Sequence, residues 1–498
     1  MIRVSLDVFD VTFPEGKRVL INRNSHQIIE NHEISDHTEE ISFCVMLGVY
    51  FWEGAFFCVV SNDTELISPV FGIEKVVSFE IIPISRNQSD LSLLKEGFDS
   101  YGFYFSKEVD LSLNLQQIYQ NSPTRFEYIW NEQAIIQAKQ FFGIDEMPSL
   151  INAIVGHVNY AKEQLQHWIL ISRKSKRNVG PRFWSRGLDK DGNAANFVET
   201  EQVVIHNNEK ISFVMIRGSL PFGWTQYPLV SPFPPVVFSD DDFNIKICKT
   251  HYQKLKEIYG SITTLSLIET EGRESGLSKK IKEINESVPF VNLIEFPIKK
   301  IMKKDKSWKA QLLSILEMTL NSDGFFYCIN DIVHRNQTGV VRVNCLDCLD
   351  RTNMTQCIIT EHILKDYFLK DYPLHFYLMW VKNGNSMSNQ YAGTNALKRE
   401  IILKQRISPL TKWRDTLIGG KRLLVNSFFD GKKQDSTNVL LQHKLVKATY
   451  PKIRFPVLYA VFYFIVALIL CIIPPLSKVF WRKGLNMLIN RPKYSIKT

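Results

Sequence analysis

Nine consecutive residues carry the most chemical information in this chain: Cys345-Leu346-Asp347-Cys348-Leu349-Asp350-Arg351-Thr352-Asn353. Five residues separate Cys345 from Arg351, a length that lets the backbone N–H groups of a loop point inward. Gly339-Val-Val-Arg-Val343 before it reads as a strand and Met354 to Leu369 after it as a helix, so Cys345 falls where a strand ends and a helix begins. The positive end of that helix adds to the N–H groups, and the loop Leu346 to Arg351 is suited to cradle a dianion such as phosphate. The same field favours thiolate over thiol. It lowers Cys345 from the ~8.5 of an ordinary cysteine and supplies a nucleophile able to attack phosphorus. Arg351 offers a planar fork of donors for equatorial phosphoryl oxygens. Thr352 is placed to hydrogen-bond the sulfur and help it leave when water cleaves a phosphocysteine. The departing alkoxide needs a proton, and Asp347 and Asp350 are the nearest carboxyls.

Other chemistries compete for the same loop. Cys345-x-x-Cys348 is half of a zinc-site pattern, but no second C-x-x-C exists, and His26, His32 and His37 lie far upstream. A redox dithiol leaves Arg351 without a purpose. A structural loop with buried thiols is the remaining alternative. The reading adopted is an anion-binding catalytic loop with no metal and no cofactor.

The elements that must position this loop follow from patterning. Ile41 to Tyr50, Gly54 to Val60, Val76 to Ile84 and Tyr101 to Phe105 alternate like strands, so the N-terminal part reads as mostly β. Past Asn121-Ser-Pro123, Asn131 to Phe142 and Leu150 to Val158 read as helices. Strands at Trp168 to Ser172, Val203 to His206, Ser212 to Ile216 and Thr263 to Ile268 then alternate with helices at Asp241 to Tyr259, Ser307 to Leu320 and Thr352 to Leu369, which predicts an α/β layer. Gly419 to Asp435 reads as a loop. The fold class expected is α+β / α/β, with a mostly β domain packed on an α/β cysteine-phosphatase-like domain and a C-terminal transmembrane segment after them.

The chain has 498 residues, 45% hydrophobic and 22% charged, which excludes a disordered chain. Eight thinly spread cysteines and an N-terminus without a signal-peptide pattern predict a reducing, cytosol-facing protein. Sixty Lys and Arg against fifty-one Asp and Glu give +9, and two basic clusters, Arg173 to Arg186 and Lys299 to Lys309, are expected to meet an anionic membrane surface. Phe455 to Ile473 holds nineteen residues without a charge, close to the length that crosses a hydrocarbon core. The basic counts on its two sides tie, so charge chooses no topology.

The segment Arg342-Val-Asn344-Cys345-Leu-Asp347-Cys348-Leu-Asp350-Arg351-Thr352-Asn353 closely resembles the signature of the Sac-domain phosphoinositide phosphatases. Phe103-Tyr-Phe-Ser106, Arg125-Phe with Trp130-Asn131, Trp168 to Arg173, Arg186-Gly-Leu-Asp189, Asn196-Phe-Val-Glu199, Arg217-Gly-Ser-Leu-Pro221 and Tyr391-Ala-Gly-Thr394 with Ala396-Leu-Lys398 resemble that family in the same order. The resemblance implies a Sac N-terminal domain over 1–120, a Sac catalytic domain over 121–437, a juxtamembrane segment at 438–454, an anchor at 455–476 and a basic tail at 477–498. It implies a metal-independent hydrolysis of phosphatidylinositol 4-phosphate, with the 3- and 5-monophosphates as further substrates. Phosphoinositide headgroups and an anionic membrane would be the partners, with no nucleic acid. The location implied is the endoplasmic reticulum and Golgi membrane, catalytic part to the cytosol. The similar loop of myotubularin-type phosphatases points to Asp350 as the acid. One departure stands out: where the family carries W-A-D-N-A, this chain has Trp380-Val-Lys382-Asn383-Gly384, so the role of that aspartate does not transfer. The alternative is a catalytically weak phosphoinositide-binding sensor or scaffold.

Overall fold

Gly339–Asn344 has no polar face to show to water: all six residues are buried. A strand covered on both faces belongs in the interior of a sheet with helices above and below, and that is where the computed structural model places it. The structure describes residues 1–29, 39–87, 89–226, 234–368, 373–403 and 408–443. The uncharged run at 455–473, the anchor and tail expected around it, and His32 and His37 lie outside the described residues.

The chain opens with a four-stranded antiparallel sheet of β1 (Ile2–Val4), β2 (Val8–Thr12), β3 (Arg18–Asn22) and β4 (Glu39–Ile41). Strands β5 (Val45–Trp52) and β6 (Ala55–Ser61) pair in a second sheet with β9 (Glu80–Pro83). Strands β7 (Thr64–Ser68), β8 (Ile73–Val76) and β10 (Phe103–Ser106) instead form one end of a twelve-stranded sheet. The expected single strand Val76 to Ile84 is therefore split between two sheets. The large sheet continues through β11 (Ile154–Glu163), β12 (Gln166–Lys174), β13 (Val198–His206) and β14 (Glu209–Arg217), all antiparallel. It then turns parallel, with β21 (Gly339–Asn344) between β14 and β17 (Ser261–Ser266), and β18 (Val291–Glu295) beyond. Strands β19 (Phe326–Ile329) and β20 (Ile332–Arg335) hang from β14, and β15 (Trp224–Gln226) pairs with β16 (Val236–Phe238) apart from the sheet.

Helices α1 (Ser92–Asp99), α2 (Leu115–Tyr119) and α3 (Glu132–Phe142) belong to the first part of the chain. On one face of the sheet, α4 (Asp241–Tyr259) and α5 (Ser275–Asn285) bury Ile247, Leu255, Leu277 and Ile281 against Ile216, Ile262 and Val340. The other face carries α7 (Trp308–Asp323), α8 (Asp350–Phe368) and α9 (Leu374–Ala392), whose Leu316, Ile358 and Trp380 share a core with Met215, Val341 and Val343. The short α6 (Ile298–Lys304) and α10 (Arg399–Ile402) precede α7 and α11 (Pro409–Phe428), and α12 (Asp430–Leu440) follows. The Asp240 side chain caps α4 by accepting from the Asp242 and Phe243 N–H groups. Among the described residues no helix is long and apolar enough to cross a membrane.

Four expectations are corrected. Leu150 to Val158 is no helix. From Ile154 it is β11, paired first with β10 and from Gly156 with β12; a short apolar run does not distinguish helix from buried strand. Gly419 to Asp435 is no loop. It lies mostly within α11 and α12, and the buried Arg422 and Asn426 of α11 are held by tertiary bonds that no propensity reveals. Val439, Leu440 and Leu441, read as the start of a juxtamembrane stretch, pack with Leu94, Phe98 and Trp130. The Arg173 to Arg186 cluster is no cationic surface either, because Arg173, Lys174 and Arg186 are buried. Arg173 pairs with Glu199 at 3.2 Å and Glu201 at 2.7 Å. In the second cluster Lys299 pairs with Glu274 and Lys300 with Glu271, leaving Lys303, Lys304 and Lys306 exposed.

Gly156 in β11 sits at φ +153, and a Cβ there would lie 1.8 Å from the Ser172 carbonyl oxygen. Gly156→Ala is expected to destabilise the sheet by about 2 kcal/mol or more, read as a lowered Tm of the full chain in a thermal melt.

Candidate active site

Ligands of open α/β sheets bind beyond the carboxyl ends of parallel strands, and three such ends converge here. Strand β21 ends at Asn344, β17 at Ser266 and β14 at Arg217. Cys345 leaves β21 and α8 starts at Asp350, so the strand, loop and helix read from the sequence are present.

The loop is wound tightly about the Cys345 sulfur. The Cys348 N–H donates to Cys345 Sγ at 3.0 Å, and Thr352 Oγ1 donates to it at 3.4 Å. Cys348 takes a left-handed conformation, φ +51, and its thiol donates to the Gly218 carbonyl at 2.8 Å. Burial alone would raise the Cys345 thiol, but the Cys348 hydrogen bond, the charge of Arg351 and the Thr352 hydroxyl overcome it and bring the thiol down to about 5. Cys348 goes the other way, pushed well above the ordinary thiol range by burial and by the neighbouring Cys345. One cysteine is held toward the thiolate and the other stays a thiol donor.

The two carboxylates of the loop are both occupied. Asp347 accepts from Arg182 Nε at 2.9 Å and pairs with Arg186 Nη2 at 2.7 Å. Burial would raise its carboxyl, but these two guanidinium groups hold it well below the usual carboxylate range. Arg186 also donates to the Leu346 carbonyl at 2.8 Å and lies over the Trp224 ring. Asp350 accepts from the Leu397 N–H at 2.6 Å and pairs with Arg422 Nη1 at 3.0 Å, and Arg422 is itself bonded to Thr394 and Ser388. Leu349 anchors the loop by packing on Tyr391 and Ala392.

Arg351 faces a carboxylate rather than open space. Its guanidinium grips Glu274 with two bonds of 3.0 and 3.1 Å and donates to the Leu267 carbonyl at 2.9 Å. Glu274 also receives Lys299 Nζ at 2.7 Å. Burial raises the Glu274 carboxyl, but Arg351 and Lys299 bring it below its ordinary value. Behind the loop, Arg342 donates to the Ser219 carbonyl at 2.7 Å and to His251 Nε2 at 3.1 Å, and pairs with Asn344. Arg217, fully buried at the end of β14, has no hydrogen-bond partner for any of its three nitrogens among the described residues.

The structure thus brings Cys345, Thr352, Asp347, Asp350 and Arg351 together. Sequence reasoning missed Arg182, Arg186, Arg217, Glu274 and Arg422. Arg186 and Arg217 had a signal in the Arg-Gly dipeptides at element ends, whereas nothing in its neighbourhood marks Glu274. Lys382 is exposed on α9, and its positive charge helps lower the buried His157 after burial itself. No group of three or more His, Cys, Asp and Glu suited to a metal is found among the described residues.

A buried thiol shifted toward its ionised form thus sits in a tight turn ringed by arginines and their carboxylates. Residues 44–303 match the SacI homology domain, and the chain belongs to that family; the loop lies beyond the matched stretch. The chain is 28% identical over 453 residues to phosphatidylinositol-3-phosphatase SAC1-A of Danio rerio, covering 82% of this chain and 77% of that protein. It is 28% identical over 450 residues to phosphatidylinositol-3-phosphatase SAC1 of Drosophila melanogaster, covering 81% and 75%. It is 32% identical over 397 residues to human synaptojanin-1, covering 74% of this chain and 24% of that one.

The lowered thiol carries a sign. The thiolate dominates above about pH 5, so alkylation of Cys345 by iodoacetamide is expected to rise through that pH and to be level by neutrality. Thr352→Val removes a bond to the charged form and is expected to move the midpoint upward. Mass-spectrometric alkylation rates across pH check both.

Proposed function

We propose that this protein is a phosphoinositide phosphatase that converts phosphatidylinositol 4-phosphate to phosphatidylinositol, with the 3- and 5-monophosphates as further substrates. The observation that carries the reading is the buried Cys345 thiol lowered to about 5 beside Arg351, supported by the SAC1 phosphatases to which the chain is similar over most of its length. The proposed location is an endoplasmic reticulum or Golgi membrane, with residues 1–120 and 121–437 as cytosolic N-terminal and catalytic domains; the uncharged run Phe455 to Ile473 supports the membrane part of this reading.

The Cys345 thiolate attacks phosphorus as the bond from phosphorus to the inositol oxygen breaks. The loop N–H groups from Leu346 to Arg351 and the Arg351 fork hold the equatorial oxygens. The inositol oxygen takes a proton from a carboxyl. Water then attacks the phosphocysteine and returns a proton to that same carboxylate as the S–P bond breaks; Thr352 steadies the thiolate, and inorganic phosphate leaves. No metal is required. The acid must be protonated beforehand, and Asp347, sealed between two arginines, is poorly suited to that. Asp350, held by one arginine and one N–H, is the better acid once Arg422 turns aside. For Arg351 to grip phosphate, Glu274 must yield its bonds.

Phosphate release by the full chain in nanodiscs bearing phosphatidylinositol 4-phosphate is expected for wild type and absent for Cys345→Ser. Asp350→Asn is expected to cut kcat about 10²- to 10⁴-fold, while Asp347→Asn acts mainly on KM through loop disorder. An unchanged rate in Asp350→Asn with loss in Asp347→Asn assigns the acid to the other carboxyl. Lipid binding without release by wild type identifies a sensor instead.

A further inference from the structure

Helix α11 has an outer face that none of the described residues covers. Leu410, Trp413 and Leu417 stand at i, i+3 and i+7, one face of a helix, and are 79%, 48% and 41% exposed. Lys421, at i+11 from Leu410, is exposed on the same face. The helix's one carboxylate, Asp415, is half-buried and turned to Arg414 and the Lys398 N–H. Exposed apolar side chains with a tryptophan and a lysine among them and no acid match the surface of an anionic bilayer. The opposite side of α11 carries Arg422, whose bonds reach Asp350, Ser388 and Thr394.

We infer that the outer face of α11 docks on an anionic bilayer, with Leu410, Trp413 and Leu417 entering the interface and Lys421 meeting lipid headgroups. The inference rests on the proposed function in that a phosphoinositide is presented by a bilayer. Two further observations favour a bilayer over a second copy of the chain. Three side chains are far from the ~800 Å² per partner of a standard protein interface. The uncharged run begins at Phe455, twelve positions past His443, which keeps any bilayer holding it within about 40 Å of the described chain. Docking there sets a lipid surface against the helix that holds Asp350, so the loop and the bilayer are joined by one rigid element.

Hydroxyl-radical footprinting of the full chain in nanodiscs reads this contact without turnover. In phosphatidylserine-rich discs, oxidation of Trp413 is expected to fall at least about threefold relative to pure phosphatidylcholine discs, with Met318, 86% exposed on α7, unchanged. Equal oxidation of Trp413 in both discs overturns the inference, and so does protection that grows with protein concentration, which would assign the face to a second copy. The triple variant Leu410→Gln, Trp413→Gln, Leu417→Gln is expected to lose about tenfold in kcat/KM on bilayer-borne phosphatidylinositol 4-phosphate and none on a short-chain, water-soluble analogue. An equal loss on both substrates overturns docking as the role of this face. Failure of wild type on both substrates defeats the proposed function while leaving the footprint to judge the docking.

Discussion

A thiol sealed from water should stay protonated, because burial penalises the charged form, yet a thiol that stays protonated is a poor nucleophile. The structure around Cys345 resolves that conflict, and much of the catalytic half depends on how it does so. Loop donors are aimed at one sulfur: the Cys348 N–H at 3.0 Å and the Thr352 hydroxyl at 3.4 Å, with Arg351 near enough to act through its charge. The left-handed turn at Cys348 is what brings its N–H round to the sulfur. Parallel pairing of β21 with β14 and β17 then puts the loop where three strand ends and a helix start meet, a place where backbone dipoles and side chains from distant parts of the chain are available at once.

Concentrating cations near a thiolate raises a second conflict, since arginines placed for a phosphate repel one another while none is bound. The chain answers with its own carboxylates. Glu274 takes both arms of Arg351, Asp347 takes Arg182 and Arg186, and Asp350 takes Arg422. A dianion arriving at the loop therefore exchanges one set of charge-assisted bonds for another rather than filling bare charge. This arrangement lowers the net gain from binding and makes the response to substrate a rearrangement of side chains. Arg217 is the exception, a buried guanidinium beside the two cysteines with no hydrogen bond among the described residues. Burial lowers it to about 10, and the charges of the Cys348 and Cys345 sulfurs offset that only in part.

The strand, loop and helix around Cys345 were legible in the sequence because all three are local, and local patterns survive reading one residue at a time. The same holds for α4, with its aspartate cap and closing glycine, and for β12 to β14. What failed was long-range. Gly419 and Gly420 look like breakers, yet α11 runs through them because Gly419 faces open space and Arg422 is fastened to Asp350, 72 positions away. The basic crowd at Arg173 to Arg186 looked like a surface because charge runs usually are. Its partners, Glu199 and Glu201, sit on the neighbouring strand, where only sheet register pairs them with Arg173. Glu274 was invisible for the same reason, being joined to Arg351 only through the tertiary fold.

The substitution of Lys382 for a family aspartate loses much of its threat to the site once it is placed. Its neighbour Asn383 turns inward and donates to Asn353 Oδ1 at 2.9 Å, and Asn353 in turn donates to the Trp380 carbonyl at 2.8 Å, tying α9 to the first turn of α8. Gly384 allows that approach, since a Cβ there would lie 2.8 Å from Asn353 Nδ2. Lys382 itself is exposed, and among the titrating groups it acts on His157 of β11, three strands from β14 in the large sheet. A charge reversal at that position changes the outer face of α9. The helix packing that orients Asp350, Arg351 and Thr352 depends on the asparagine beside it, and that asparagine is unchanged.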